Sequence, residues 1–265
     1  MSVRATATLV LLFALLPILI ITLMSFGTQN SLAFPPSEFG LHWYREAFAV
    51  IGSGPGAEAL SLRDALRISL EVGILTALGT AIAAIPAAYA LHRFRFRGRA
   101  FIETLIELPV VFPAVVLGLA MLVMVNLLPV EIGIWRLVIA HLVLAVPFAV
   151  RNCAASLVGV GPELEEAART LGASPWRAVV GVVLPLMRGG VLAGMILSFV
   201  ISFNEFTVTF FLYTADVATV PIWLYSRTVA SLDPTVFALA VLIVLLDAFM
   251  IYGLERLVGP DALVA

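Results

Sequence analysis

Lysine is absent from this chain: all 15 basic residues are arginines. A Walker A loop needs a lysine to reach the phosphates of ATP, so the sequence holds no such nucleotide site of its own. Charge of either sign is scarce. Charged residues fill 12% of the 265 positions, about half of the roughly 25% found in soluble domains, while hydrophobic residues fill 62%. A surface this poor in charge is not built to face water. Cysteine occurs only as Cys153, and histidine only as His42, His92 and His141, which excludes a disulfide framework and a clustered metal site. His141 lies within an apolar run, where a histidine bonded inside a helix bundle is expected. The formal net charge of −2 gives no general attraction to nucleic acid.

What the chain has instead is long apolar runs. The first, Ala5 to Phe26, is long enough to span a bilayer and too long for the apolar region of a cleaved signal peptide, so it is expected to be a retained anchor. Further spans are expected at Ala65–Leu91, Phe101–Val125, Ile134–Cys153, Gly190–Leu212 and Val236–Leu254. The fold expected is all-α: a single transmembrane domain over 1–265 with six membrane helices. Arginine placement orients it. With the N-terminus cytoplasmic, ten arginines fall inside, among them Arg93, Arg95, Arg97 and Arg99 of the RFRFRGR run, and five fall outside. Both termini are then cytoplasmic.

Two outer segments are sizeable. Gly27 to Asp64 contains FPPSEFGLHWYREAF and a GSGPG turn, and is expected to run extended and then form a short helix along the membrane surface. Tyr213 to Pro234 contains the amphipathic VPIWLYSRTVASLDP, with Trp223 and Tyr225 expected at the interface. Prolines at 17, 86, 109, 113 and 147 fall within the spans, where neighbouring helices can satisfy the freed carbonyls.

The cytoplasmic loop of about 154–189 carries EEAARTLGASPWRAVVGVVLP, residues 165–185. Gly161 and Pro162 are suited to start a helix, with Glu163, Glu165 and Glu166 in its first turns. Gly172 is suited to the left-handed position that ends it. Ser174 and Pro175 then cap and start a second helix. The outline is that of a helix-turn-helix, but the second helix reads WRAVVGVVL, with one arginine and an almost continuous apolar face. A DNA-reading helix presents polar and basic groups to base edges, so nucleic acid is not the partner. A protein-docking corner fits: Ala167 and Ala168 permit close approach, and Glu166 offers one charge.

These residues resemble a known family. Glu166, Ala167, Ala168, Gly172, Val182, Leu184 and Pro185 match the EAA motif of permease subunits of bacterial ABC importers, EAA-x3-G-x9-I-x-LP, with valine at the isoleucine position. The segments FPP…GLHWY, SFNEFTVTFFL, TVPIWLY and LDPTVFAL are further similar to the second permease subunit of spermidine/putrescine-type importers. The resemblance implies a type I importer permease fold in a bacterial inner membrane, surrounded by lipid. It implies a loop that couples to an ATPase, and partners comprising two ATPase subunits, a second, homologous permease and a periplasmic substrate-binding protein. No cofactor is then expected on this chain; ATP and magnesium would sit on the ATPases. The cargo implied is a small organic solute, with polyamines and related amines first and aminophosphonates, opine-like compounds, metals or oxyanions as alternatives.

Polar groups inside a bilayer are costly and usually face a cavity or a partner helix. Ser198, Ser202, Glu205 and Thr209 follow at steps of four, three and four, so they are expected to line one helix face, with Asn204 beside them. They are the candidate substrate pathway. Polyamine-type relatives often have two acidic residues where this chain has Asn204 and Glu205. Glu71, Asn126 and Asp247 read as interfacial or inter-helix polar contacts, and Glu103 and Glu107 as partners of nearby arginines. A secondary transporter driven by an ion gradient is the rival reading; it would show internal repeats and half-helices at midplane, which the sequence does not display. An intramembrane enzyme would need a paired nucleophile and base, and none is present.

Overall fold

The computed structural model describes residues 3–29, 34–52, 61–231 and 234–258. Most of the GSGPG turn and the first two residues of LDPTVFAL lie outside them. The described residues are helical apart from connecting turns and one isolated antiparallel bridge between Gly27 and Phe39. They divide into two compact units: 1–64 with 223–249, and 65–222 with 250–265.

In the first unit, α1 (Val3–Ser25) is buried only in its last turn, at Met24 and Ser25. Phe13 and its apolar neighbours are exposed along the rest of the helix. Exposure of this kind fits a helix whose solvent is lipid. The chain then runs through the Gly27–Phe39 bridge into α2 (His42–Gly52), as expected. Tyr44 ties α2 to the end of α1: its hydroxyl is 2.8 Å from Ser25 Oγ, and its ring lies 5.2 Å from that of Phe26. Trp223, expected at the interface, is instead buried at 2% exposure, with the Arg227 guanidinium over its ring. Tyr225 is exposed.

The second unit contains most of α3 (Leu62–Arg93), then α4 (Arg99–Val111), α5 (Ala114–Asn126) and α6 (Trp135–Val158). The loop elements α7 (Pro162–Thr170), α8 (Pro175–Ala178), a π-helical turn over Val179–Val183 and α9 (Leu184–Leu186) follow. After them come α10 (Arg188–Asn204) and α11 (Thr207–Leu212). The last described helices, α12 (Val220–Ser231) and α13 (Thr235–Val258), lie for the most part in the first unit. Close packing of α10 on α6 depends on glycine. A Cβ on Gly190 would stand 2.4 Å from the Asn152 carbonyl oxygen, and one on Gly194 3.1 Å from Ala149 Cα. This Gly-xxx-Gly spacing lets the two backbones approach, the usual basis of tight helix pairing in membranes. One core then gathers Ala84, Ala88 and Leu91 of α3, Ala149 and Cys153 of α6, and Val183 and Met187. A second gathers Val72, Val125, Leu137, Val138, Val208 and Leu212.

Among the described residues, four helices (α1, α3, α6 and α13) are individually long and apolar enough to cross a membrane. The others of the six expected spans are not simple rods. The expected Phe101–Val125 span is two helices bent by 105°, because Pro113 forces the residue before it out of helical geometry and Phe112 is extended at φ −74, ψ 141. The expected Gly190–Leu212 span stops at Asn204 and restarts at Thr207. Before it, the segment Pro175–Leu186 meets α10 at 69°.

Candidate functional site

The 162–186 corner folds as its residues dictate. Pro162 occupies the first position of α7, where its missing N–H costs nothing, behind an extended Gly161. Glu163 and Glu165 lie in the first turn, against the positive end of the helix. At the other end Gly172 adopts φ +93, a left-handed conformation that L side chains resist. Its N–H donates to the Arg169 carbonyl at 3.0 Å, and the Ala173 N–H donates to the Ala168 carbonyl at 3.0 Å. These two bonds form a complete Schellman stop. Ser174 Oγ then accepts from the Arg177 N–H, and Pro175 begins α8. Further on, Pro185 has no N–H to offer Gly181, and the chain just upstream widens into the π turn, in which the Leu184 N–H donates to the Val179 carbonyl.

The motif residues separate into two sets. Glu166, Ala167, Gly172 and Pro185 are exposed, whereas Ala168, Val182 and Leu184 are half-buried. Glu166, Arg169, Thr170, Ala173 and Pro175 surround a shallow depression of about 500 Å³. Beside them Leu171 is 90% exposed and Trp176 75% exposed. Large apolar side chains left bare next to an exposed carboxylate form the kind of patch that a partner covers.

Two contacts behind this corner escaped the sequence reading. The Tyr89 hydroxyl of α3 donates to Glu165 Oε1 at 2.9 Å, and Arg93 Nη2 donates to the Val160 carbonyl at 2.5 Å. They brace the start of α7 against the end of α3. Both partners lie dozens of residues apart, so no local pattern marks them. The expected arginine pairings of the acidic residues are present: Glu103 with Arg99 at 2.8 Å and Glu107 with Arg151 at 3.0 Å. Glu71 pairs with Arg67 at 2.7 Å.

The candidate pathway residues do not share one continuous helix face. Glu205 is extended at φ −71, ψ 116, so the helical period that aligned it with Ser198 and Ser202 ends one residue earlier. Its Oε1 accepts from the Val208 N–H at 2.7 Å, which starts α11. Ser198, Ser202 and Thr209 are buried. Ser198 Oγ donates to the Gly194 carbonyl at 2.7 Å. Ser202 Oγ lies 2.7 Å from His141 Nδ1, and Thr209 Oγ1 lies 2.8 Å from His141 Nε2. These three hydroxyls are thus engaged inside the subunit. Asn204 is exposed, with its amide donating to the Val200 carbonyl, and Glu205 is half-buried.

Comparison with known proteins agrees with this architecture. The family described as "Binding-protein-dependent transport system inner membrane component" matches residues 77–263. The spermidine/putrescine transport system permease protein PotC of Escherichia coli K12 is 29% identical, over 96% of this chain and 92% of the relative. The putative 2-aminoethylphosphonate transport system permease protein PhnV of Salmonella typhimurium LT2 is 28% identical, over 95% and 91%. Among solved structures, a chain of a bacterial alginate ABC transporter, in complex with an alginate-bound periplasmic protein, superposes with a TM-score of 0.72. It shares 13% identity and is matched over 98% of this chain and 93% of its own. A chain of the MetNI methionine ABC transporter, in inward-facing conformations, gives 0.60 at 19% identity, over 74% and 94%. With the family profile spanning most of its length, the chain belongs to the inner membrane components of binding-protein-dependent transport systems, the permeases of ABC importers.

Proposed function

We propose that this permease carries a small organic amine, with the protonated amine as the recognised group, and that partner ATPases drive it through the 162–186 corner. The observation that carries the coupling is the corner itself. A rigidly capped turn presents Glu166, which has no ion pair among the described residues, beside bare Leu171 and Trp176. Two ATPase subunits holding ATP and magnesium, a second permease and a periplasmic binding protein complete the assembly. Both termini lie on the cytoplasmic side, on the arginine count. Alternating access of a path between the two permeases then follows ATP binding and hydrolysis.

The amine is argued from chemistry that two relatives share. Spermidine, putrescine and 2-aminoethylphosphonate all carry an ammonium group, while only the last carries a phosphonate. Glu205, half-buried at a break in a membrane helix, is the acidic group we assign to meet it. Its single charge, next to a neutral Asn204, suits one ammonium better than a chain of several. The test is uptake of radiolabelled putrescine and 2-aminoethylphosphonate by the reconstituted complex. Glu205→Gln is expected to abolish uptake of whichever compound the wild type carries, with the complex still assembled. Unchanged uptake would remove Glu205 from the path. Failure of any ATP-hydrolysing subunit to co-purify with the chain would overturn the coupling.

A further inference from the structure

We propose that His141 is a positioning residue that clamps the two halves of the broken α10–α11 helix. The ring is buried at 1% exposure in α6. Its two nitrogens reach opposite sides of the break: Nδ1 meets Ser202 in the last turn of α10, and Nε2 meets Thr209 in α11. Between those two hydroxyls lies the extended Glu205, so a single side chain spans the interruption.

Both hydroxyls are also held a second time. Thr209 Oγ1 donates to the Glu205 carbonyl at 3.0 Å. Ser202 Oγ donates to Thr76 Oγ1 of α3 at 3.4 Å, which extends the network to a third helix.

The consequence is mechanical. A broken membrane helix has lost the backbone bonds that keep a continuous rod stiff, and its halves are free to change their angle. Here His141 fixes Thr209, Thr209 holds the Glu205 carbonyl, and the Glu205 carboxylate caps α11 through Val208. The clamp thus sets where the Glu205 side chain sits. Its bearing on transport rests on the role given to Glu205 above; the clamp itself does not, and its test reads geometry rather than uptake.

Spin labels on Leu192 of α10 and Tyr213 just beyond α11, both exposed, report the angle across the break by pulsed electron resonance in the full complex. Cys153 is buried, so labelling of this chain is confined to the introduced thiols. The wild type is expected to give one narrow distance. His141→Leu, which keeps bulk and removes both bonds, should lose that narrow peak. His141→Gln, with one donor and one acceptor in place of the ring nitrogens, should restore it. Thr209→Val, nearly isosteric, should broaden it by releasing the α11 half alone, and it decides the matter if His141→Leu does not accumulate. A Leu variant as narrow as the wild type would overturn the clamp, as would a Gln variant as broad as Leu, or an unaffected Thr209→Val. Normal uptake by Glu205→Gln would cancel the substrate role of Glu205 and leave these distances unchanged.

Discussion

The corner at 162–186 and the break at 204–207 are both places where a helix stops and restarts, yet they are built in opposite ways. The corner is closed by its own neighbours: Gly172 in a left-handed turn, carbonyls satisfied within the Schellman motif, and Ser174 capping the next helix. The break contains neither glycine nor proline. It is held from outside, by His141 from a different helix and by Glu205 capping across the gap. The turn of the first is exposed and closed locally, with α3 bracing only the start of α7 through Tyr89 and Arg93; the second is held only as part of the bundle. A local device suits an element that must press on another protein as a unit, and a borrowed one suits an element buried among helices.

The largest expected effect comes from breaking the corner. Proline fixes φ near −65° and cannot adopt the φ of +93 found at Gly172. Gly172→Pro should abolish ATP-coupled uptake while the chain still inserts in the membrane, measured by transport and membrane content together. A smaller effect is expected at the break. Thr209→Val leaves His141 Nε2 without its partner, and a buried group stripped of its partner costs about 1–3 kcal/mol. A lowered Tm of the detergent-solubilised chain checks this. The smallest effect is expected from Glu107→Gln. Its partner Arg151 and Glu107 itself are both about half exposed, and such pairs contribute less than about 1 kcal/mol. A Tm equal to that of the wild type is the expected result, and the three variants together rank the corner, the clamp and the surface charge.

The same contrast explains which parts of the molecule were legible in the sequence. Gly161, Pro162, Gly172, Ser174 and Pro175 declare their roles through local backbone chemistry, and each stands where the spacing puts it. The apolar runs gave α1, α3, α6 and α13 as spans. The period of 3.6 residues, by contrast, carries straight through Glu205, because nothing in SFNEFTV interrupts it; the partner that stabilises the break lies 61 residues from Ser202. Pro113 was visible as a helix disturbance, but the size of the bend, 105°, was not. Trp223 was placed at the interface by residue type, while the structure buries it with Arg227 over its ring. Tertiary contacts hold the break and bury Trp223, and a single sequence does not display them.

The central claim is that Glu166 to Pro185 passes force from an ATPase to the membrane helices. A photo-activated cross-linking residue in place of Leu171, which is 90% exposed at the tip of the corner, tests it in the assembled transporter. The account predicts an adduct with an ATP-hydrolysing subunit, with a yield that changes on adding ATP and magnesium, and no such adduct from the same residue at Asn204. Full uptake with no ATPase adduct from position 171 would contradict it.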